Sequence, residues 1–175
     1  MLPDKVLPHP SFCLRNFVPP PKVVMREGQS AGSILPKEQY IFLWRISWLS
    51  MFSGIYALYQ GYYDLAPVPL GVWLTSINYW RKPDYSWRRY VDMFYVYIAL
   101  TYQVVRAYKA QNATLYYAIL AIGVLFYPIG VFFHKRGDSW LSTLCHGQVH
   151  VFGNISNVIL YAGHVRSIAE CFRTS

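Results

Sequence analysis

His146 and His150 stand four residues apart in a mostly apolar stretch, Trp140–His164, so on a helix they share one face. Two histidines at that spacing have the geometry of a metal-ligand pair. The same face continues through Asn154, Asn157 and Tyr161. Polar groups inside hydrocarbon are costly, so a stripe of this kind is expected to face protein, a cavity or a cofactor. Ser76 and Asp92 are the other residues able to do chemistry. Asp92 is the only acid inside an apolar stretch, and Ser76 closes a stretch that ends on the same side. Ser76, Asp92, His146 and His150 thus share one leaflet, although they come from three segments.

Each of these residues also has a quieter reading. Arg45 lies in the first apolar stretch at the depth of Asp92, and a buried Arg45–Asp92 ion pair would neutralise both charges. His146 and His150 can hydrogen-bond across helices, and Asn154 and Asn157 with Gly147, Gly153 and Ser156 read as close helix packing. Bis-histidine haem ligation needs ligands on opposite faces of the porphyrin, and no second stretch offers a facing histidine. The basic turn with Arg81, Lys82, Arg88 and Arg89 reads as a topology determinant and as a candidate site for anionic lipid headgroups.

The elements that must position these residues are apolar helices. Hydrophobic residues make up 54% of the chain and charged residues only 14%, well below the share in soluble domains. The 16 Tyr and 6 Trp suit a membrane–water interface. The fold class expected is all-α: a polytopic membrane bundle of about five transmembrane helices. The spans are Tyr40–Gln60, Val68–Trp80, Tyr90–Tyr108, Leu115–Phe133 and Leu141–Gly163, with a kink permitted at Gly123, Pro128 and Gly130. The second is short for a full crossing. Residues 1–38 hold seven prolines and read as an extended arm, residues 39–165 as the bundle, and residues 166–175 as a short tail. No apolar leader follows Met1, so the first span is expected to do the targeting. Cys13, Cys145 and Cys171 form no paired motif.

Charge gives the orientation. With five spans, eleven Lys/Arg fall on the side of the arm and four on the other, which places the arm in the cytoplasm or matrix. The net charge of +8 is thereby explained by topology, and nucleic acid is excluded as a partner. The mitochondrial inner membrane is preferred to the endoplasmic reticulum. Asn112-Ala113-Thr114 matches a glycosylation sequon but lies almost at the membrane, so it reads as a chance match.

The set Ser76, Asp92, His146 and His150 resembles the superfamily of alkaline ceramidases and progestin/adipoQ receptors. Its pattern is a Ser with a His four residues later, an Asp about a dozen residues on, and two His four apart in the last helix. The resemblance implies a zinc-dependent lipid amide hydrolase, with zinc on His146 and His150, Asp92 as the carboxylate that would replace the missing third ligand, and Ser76 and Asp92 at the reaction centre. This chain departs from the pattern at Trp80, which stands where the first His would be, and it is about two helices short of the family's seven. Three function classes follow. The first is a non-catalytic accessory or structural subunit of a larger membrane complex, with no cofactor and with lipids and other membrane subunits as partners. The second is the metal-dependent hydrolase or a degenerate relative. The third is a small transporter using the polar stripe.

Overall fold

The computed structural model describes residues 33–166, which fold entirely into helices and turns. The arm up to residue 32 and the tail from residue 167 lie outside the described residues, as do the expectations placed on them. Six helices follow in order: α1 (Lys37–Ile46), α2 (Trp48–Tyr59), α3 (Pro67–Trp80), α4 (Trp87–Ala107), α5 (Ala113–Arg136) and α6 (Ser139–Ala162). They coincide closely with the five apolar stretches, because α1 and α2 are one helix bent at Ser47. The Ser47 hydroxyl donates back to the Leu43 carbonyl at 2.8 Å, and Ser50 N–H closes a tighter turn onto Ser47 O. Such back-bonding competes with the helical ladder and bends it. The helix begins at Lys37, directly after Pro36, which cannot extend it backwards.

Lys37–Tyr59 and Ala113–Arg136 are each long and apolar enough to cross a bilayer. The 14-residue α3 rises only about 21 Å. The 21-residue α4 and 24-residue α6 have the length, but polar residues dilute them. The expected kink in α5 does not interrupt it, since the helix runs through Pro128 to Arg136. Gly137 then takes φ 88°, a left-handed cap that favours glycine, and the chain reverses straight into α6.

Helices α5 and α6 form the tightest pair, and α6 also packs on α2 and α1. On the other side α3 lies between α2 and α4, whereas α4 barely meets α5. Small residues set these approaches. A Cβ on Gly123 would sit 2.9 Å from Phe152 Cβ, and one on Gly147 2.9 Å from the Phe42 ring. Gly153 lines the same approach with its backbone, its N lying 3.5 Å from where a Gly123 Cβ would stand, but a Cβ of its own would meet nothing within 4 Å. Phe126 stacks on Phe152 at 5.6 Å.

The two ends of the bundle differ. At one end Ala57, Leu65, Ala66, Ala107, Ala110, Tyr116, Leu160, Tyr161 and Val165 make a closed core. There Arg106 pairs with Asp64 at 2.7 Å and donates to the Arg166 carbonyl, while the Tyr62 hydroxyl donates to Gly163 O. At the other end a smaller cluster of Leu43, Tyr79 and Trp80 joins α1 to α3.

Candidate functional site

The residues singled out by type gather at that second end. Ser76 and Trp80 lie one turn apart on α3, Asp92 is near the start of α4, and His146 and His150 are in the first half of α6. Asp92 is buried, 7% exposed, and its Oδ1 accepts hydrogen bonds from Ser76 Oγ at 2.8 Å and Thr75 Oγ1 at 2.8 Å. Adjacent residues on one helix thus converge on a single oxygen. Thr75 was not singled out from the sequence; its place beside Ser76 was the available signal.

The expected Arg45–Asp92 ion pair does not form. Arg45 is exposed on α1, and the ion pairs among the described residues are Arg88–Asp84 and Arg106–Asp64. The reason is geometric. Helix α3 stands between α1 and α4 and supplies its own hydroxyls to the carboxyl group, so Arg45 has no path to it.

The Trp80 indole packs edge-on against His146, with ring centroids 5.1 Å apart, and His146 in turn meets His150 at 5.3 Å. Both histidines are half-buried. Trp80 Nε1 is buried and finds no hydrogen-bond acceptor among the described residues. Zinc in a catalytic site takes three protein ligands. Among the described residues no group of three His, Cys, Asp or Glu side chains comes together to hold a metal. Asp92 is engaged by Thr75 and Ser76, and an indole cannot ligate zinc, so the residues present do not fit a zinc centre. No reaction step is assigned to Ser76 or Asp92.

The polar stripe on α6 faces other helices. Asn154 receives the Ser53 hydroxyl at 2.7 Å and donates to Ser50 Oγ at 3.1 Å, clamping α2. Tyr161 accepts from Gln103 Nε2 at 2.6 Å, reaching α4. At the α6 start, Gln39 bridges Ser139 and Thr143 at 3.0 Å each. Gln39, Ser50, Ser53 and Gln103 escaped the sequence reading because isolated Ser and Gln in apolar helices carry no period. The sequon residue Asn112 uses its amide on Ile159 O at 2.9 Å, packed against Gly163, which makes it a strut between α5 and α6.

In the basic turn, Arg88 is consumed internally. It binds Asp84 at 2.7 Å, Lys82 O at 2.9 Å and Asn78 O at 3.3 Å, which removes it from the candidate headgroup ligands. The Ser86 hydroxyl foremost, with Arg88 and the Ser86 amide, holds the Asp84 carboxyl below the usual carboxylate range. Arg81 and Lys82 stay exposed, and Arg89 lies over the Tyr85 ring at 5.3 Å.

Comparison with known proteins finds no match: no family model fits the chain, and no curated protein or solved structure is similar to it.

Proposed function

We propose that the chain is a polytopic integral membrane protein acting as a non-catalytic accessory or structural subunit of a larger membrane complex. The observation that carries this reading is the distribution of polarity. Large apolar and aromatic side chains stand outward along α4 and α5, including Phe94 (67% exposed), Tyr97 (69%), Val105 (66%) and Leu125 (61%). Most buried polar side chains pair with one another inside, as Ser53 with Asn154, Ser76 with Asp92, Gln103 with Tyr161 and Thr143 with Gln39. Among the described residues the indole N–H groups of Trp48, Trp73 and Trp80 and the Tyr116 hydroxyl stand without a partner. A chain in water does not leave such extended apolar faces open, whereas lipid solvates them and demands that inner polar groups be satisfied. The short α3 completes its crossing with the turn before it, where Leu65 and Ala66 are fully buried. Exposed Arg81, Lys82, Lys135 and Arg136 mark the end facing the cytoplasm or matrix.

The non-catalytic part of this reading is supported by Trp80, whose indole packs on His146 and cannot ligate a metal. The test is to extract the full chain from its native membrane in mild detergent. A fixed set of co-purifying membrane proteins, with no stoichiometric metal and no amidase activity on lipids, is the expected result. A lone, metal-loaded, hydrolytically active chain would refute it.

The Ser76–Asp92 hydrogen bond and the Trp80–His146 contact favour a second reading, that of a degenerate relative of the ceramidase and adipoQ-receptor superfamily. Under it the ligand frame persists while the third ligand has been lost.

A further inference from the structure

The turn between α3 and α4 divides its charged residues into two sets. Asp84 and Arg88 neutralise each other, and Arg88 ties the end of α3 to the start of α4 through Asn78 O and Lys82 O. Pro83 is fully buried, and its carbonyl accepts from Ile34 N–H at 3.0 Å. The turn is therefore firmly built, and its one acid is spent. Among the described residues Arg81, Lys82 and Arg89 remain without an acidic partner, framed by outward Tyr85, Trp87 and Tyr90. Directly alongside, Tyr90, Val91, Met93 and Phe94 line a shallow, almost wholly apolar groove on α4. No side chain caps the first turn of α4, so the positive end of its dipole adds to the same field.

We propose that this turn and groove bind one anionic phospholipid. Its phosphate is held by Arg81, Lys82 and Arg89, and one acyl chain lies along Tyr90–Phe94. The inference rests on the membrane reading above. Charge complementarity selects the occupant: three cations without an acidic partner among the described residues, at the aromatic rim of an apolar groove, match a phosphate above a hydrocarbon chain. A zwitterionic lipid satisfies the groove but not the cations.

The test uses the full chain in mild detergent and native mass spectrometry, titrated with phosphatidylglycerol or phosphatidylcholine of identical chains. Phosphatidylglycerol is expected to bind preferentially, with affinity falling about fivefold for each of the three cations replaced. The variant Arg81→Gln/Lys82→Gln/Arg89→Gln should lose the preference, and Phe94→Ala should weaken both lipids alike. Lys135→Gln/Arg136→Gln, in the last turn of α5, should retain it. Equal losses in the two sets of variants would reduce the effect to general charge and overturn the site. So would a co-purifying polypeptide released by the triple variant but not displaced by phosphatidylglycerol. Flotation with liposomes separates the two readings. A chain that stays in solution without detergent defeats the membrane reading, whereas one that floats yet shows no lipid preference defeats only this site.

Discussion

Ser76 and Asp92, sixteen residues apart in sequence, meet across the α3–α4 interface with Oγ 2.8 Å from Oδ1. Thr75 reaches the same oxygen, so two hydroxyls hold one oxygen of a buried carboxyl group, and among the described residues no cation pairs with it. Removing Ser76 alone leaves one donor, and Ser76→Ala should cost about 1 kcal/mol. Thr75→Val with Ser76→Ala removes both donors and should cost about 2–3 kcal/mol, the loss of two hydrogen bonds to a buried group. Arg45→Ala should stay within about 0.5 kcal/mol of the parent, since Arg45 is exposed. Thermal unfolding in detergent measures all three. A large loss from Arg45→Ala would restore the ion pair and contradict the hydroxyl clamp.

Trp80 decides whether the histidine pair can become a metal site. Trp80→His places a third imidazole one turn after Ser76, on the side chain already touching His146. This variant should acquire zinc near one equivalent, while the parent shows none by metal analysis of the purified protein. An unaltered, metal-free Trp80→His would mean that α3 and α6 stand too far apart for ligation.

The α5–α6 pair should respond to glycine replacement by position. Gly123→Ala drives a methyl to 2.9 Å from Phe152 Cβ and has to push the helices apart, at about 1–3 kcal/mol. Gly153→Ala meets nothing within 4 Å, and by helix propensity it should stabilise by up to about 1 kcal/mol. The opposite signs can be read from melting temperatures of the two variants in one detergent. Destabilisation by both would show that Gly153 is covered in the assembled protein.

The Asp84 carboxyl, held below its usual range chiefly by the Ser86 hydroxyl and then by Arg88, gives a pH dependence of known sign. A depressed folded pKa contributes stability above the unfolded value, and that contribution is lost as pH falls through the folded one. The parent should therefore lose its advantage over Asp84→Asn below about pH 3.9, the ordinary aspartate value. Paired melting curves from pH 7 to pH 3 test this. A constant gap across the range would mean that Asp84 gains nothing from its ionisation in the folded chain.

The sequence by itself determined where the helices are. Apolar runs, Pro36, Pro67 and Gly137 fix the helix limits through local backbone chemistry, so the apolar stretches and the described helices coincide within a few residues. It also brought Ser76, Asp92, His146 and His150 to one end, because alternating chain direction decides which end each residue occupies. What only the tertiary structure decided is who touches whom. Arg45 and Asp92 share a depth, yet α3 stands between their helices, and its adjacent hydroxyls reach the carboxyl group first. Arg88 looked like one of four free cations until the turn folded around it. The α6 stripe is expected to face protein, a cavity or a cofactor, and only the structure shows its members shared among α2, α3 and α4. Depth and face follow from rise and periodicity along one helix, whereas pairing depends on the order in which helices stand side by side, and nothing in a single chain's local pattern encodes that order.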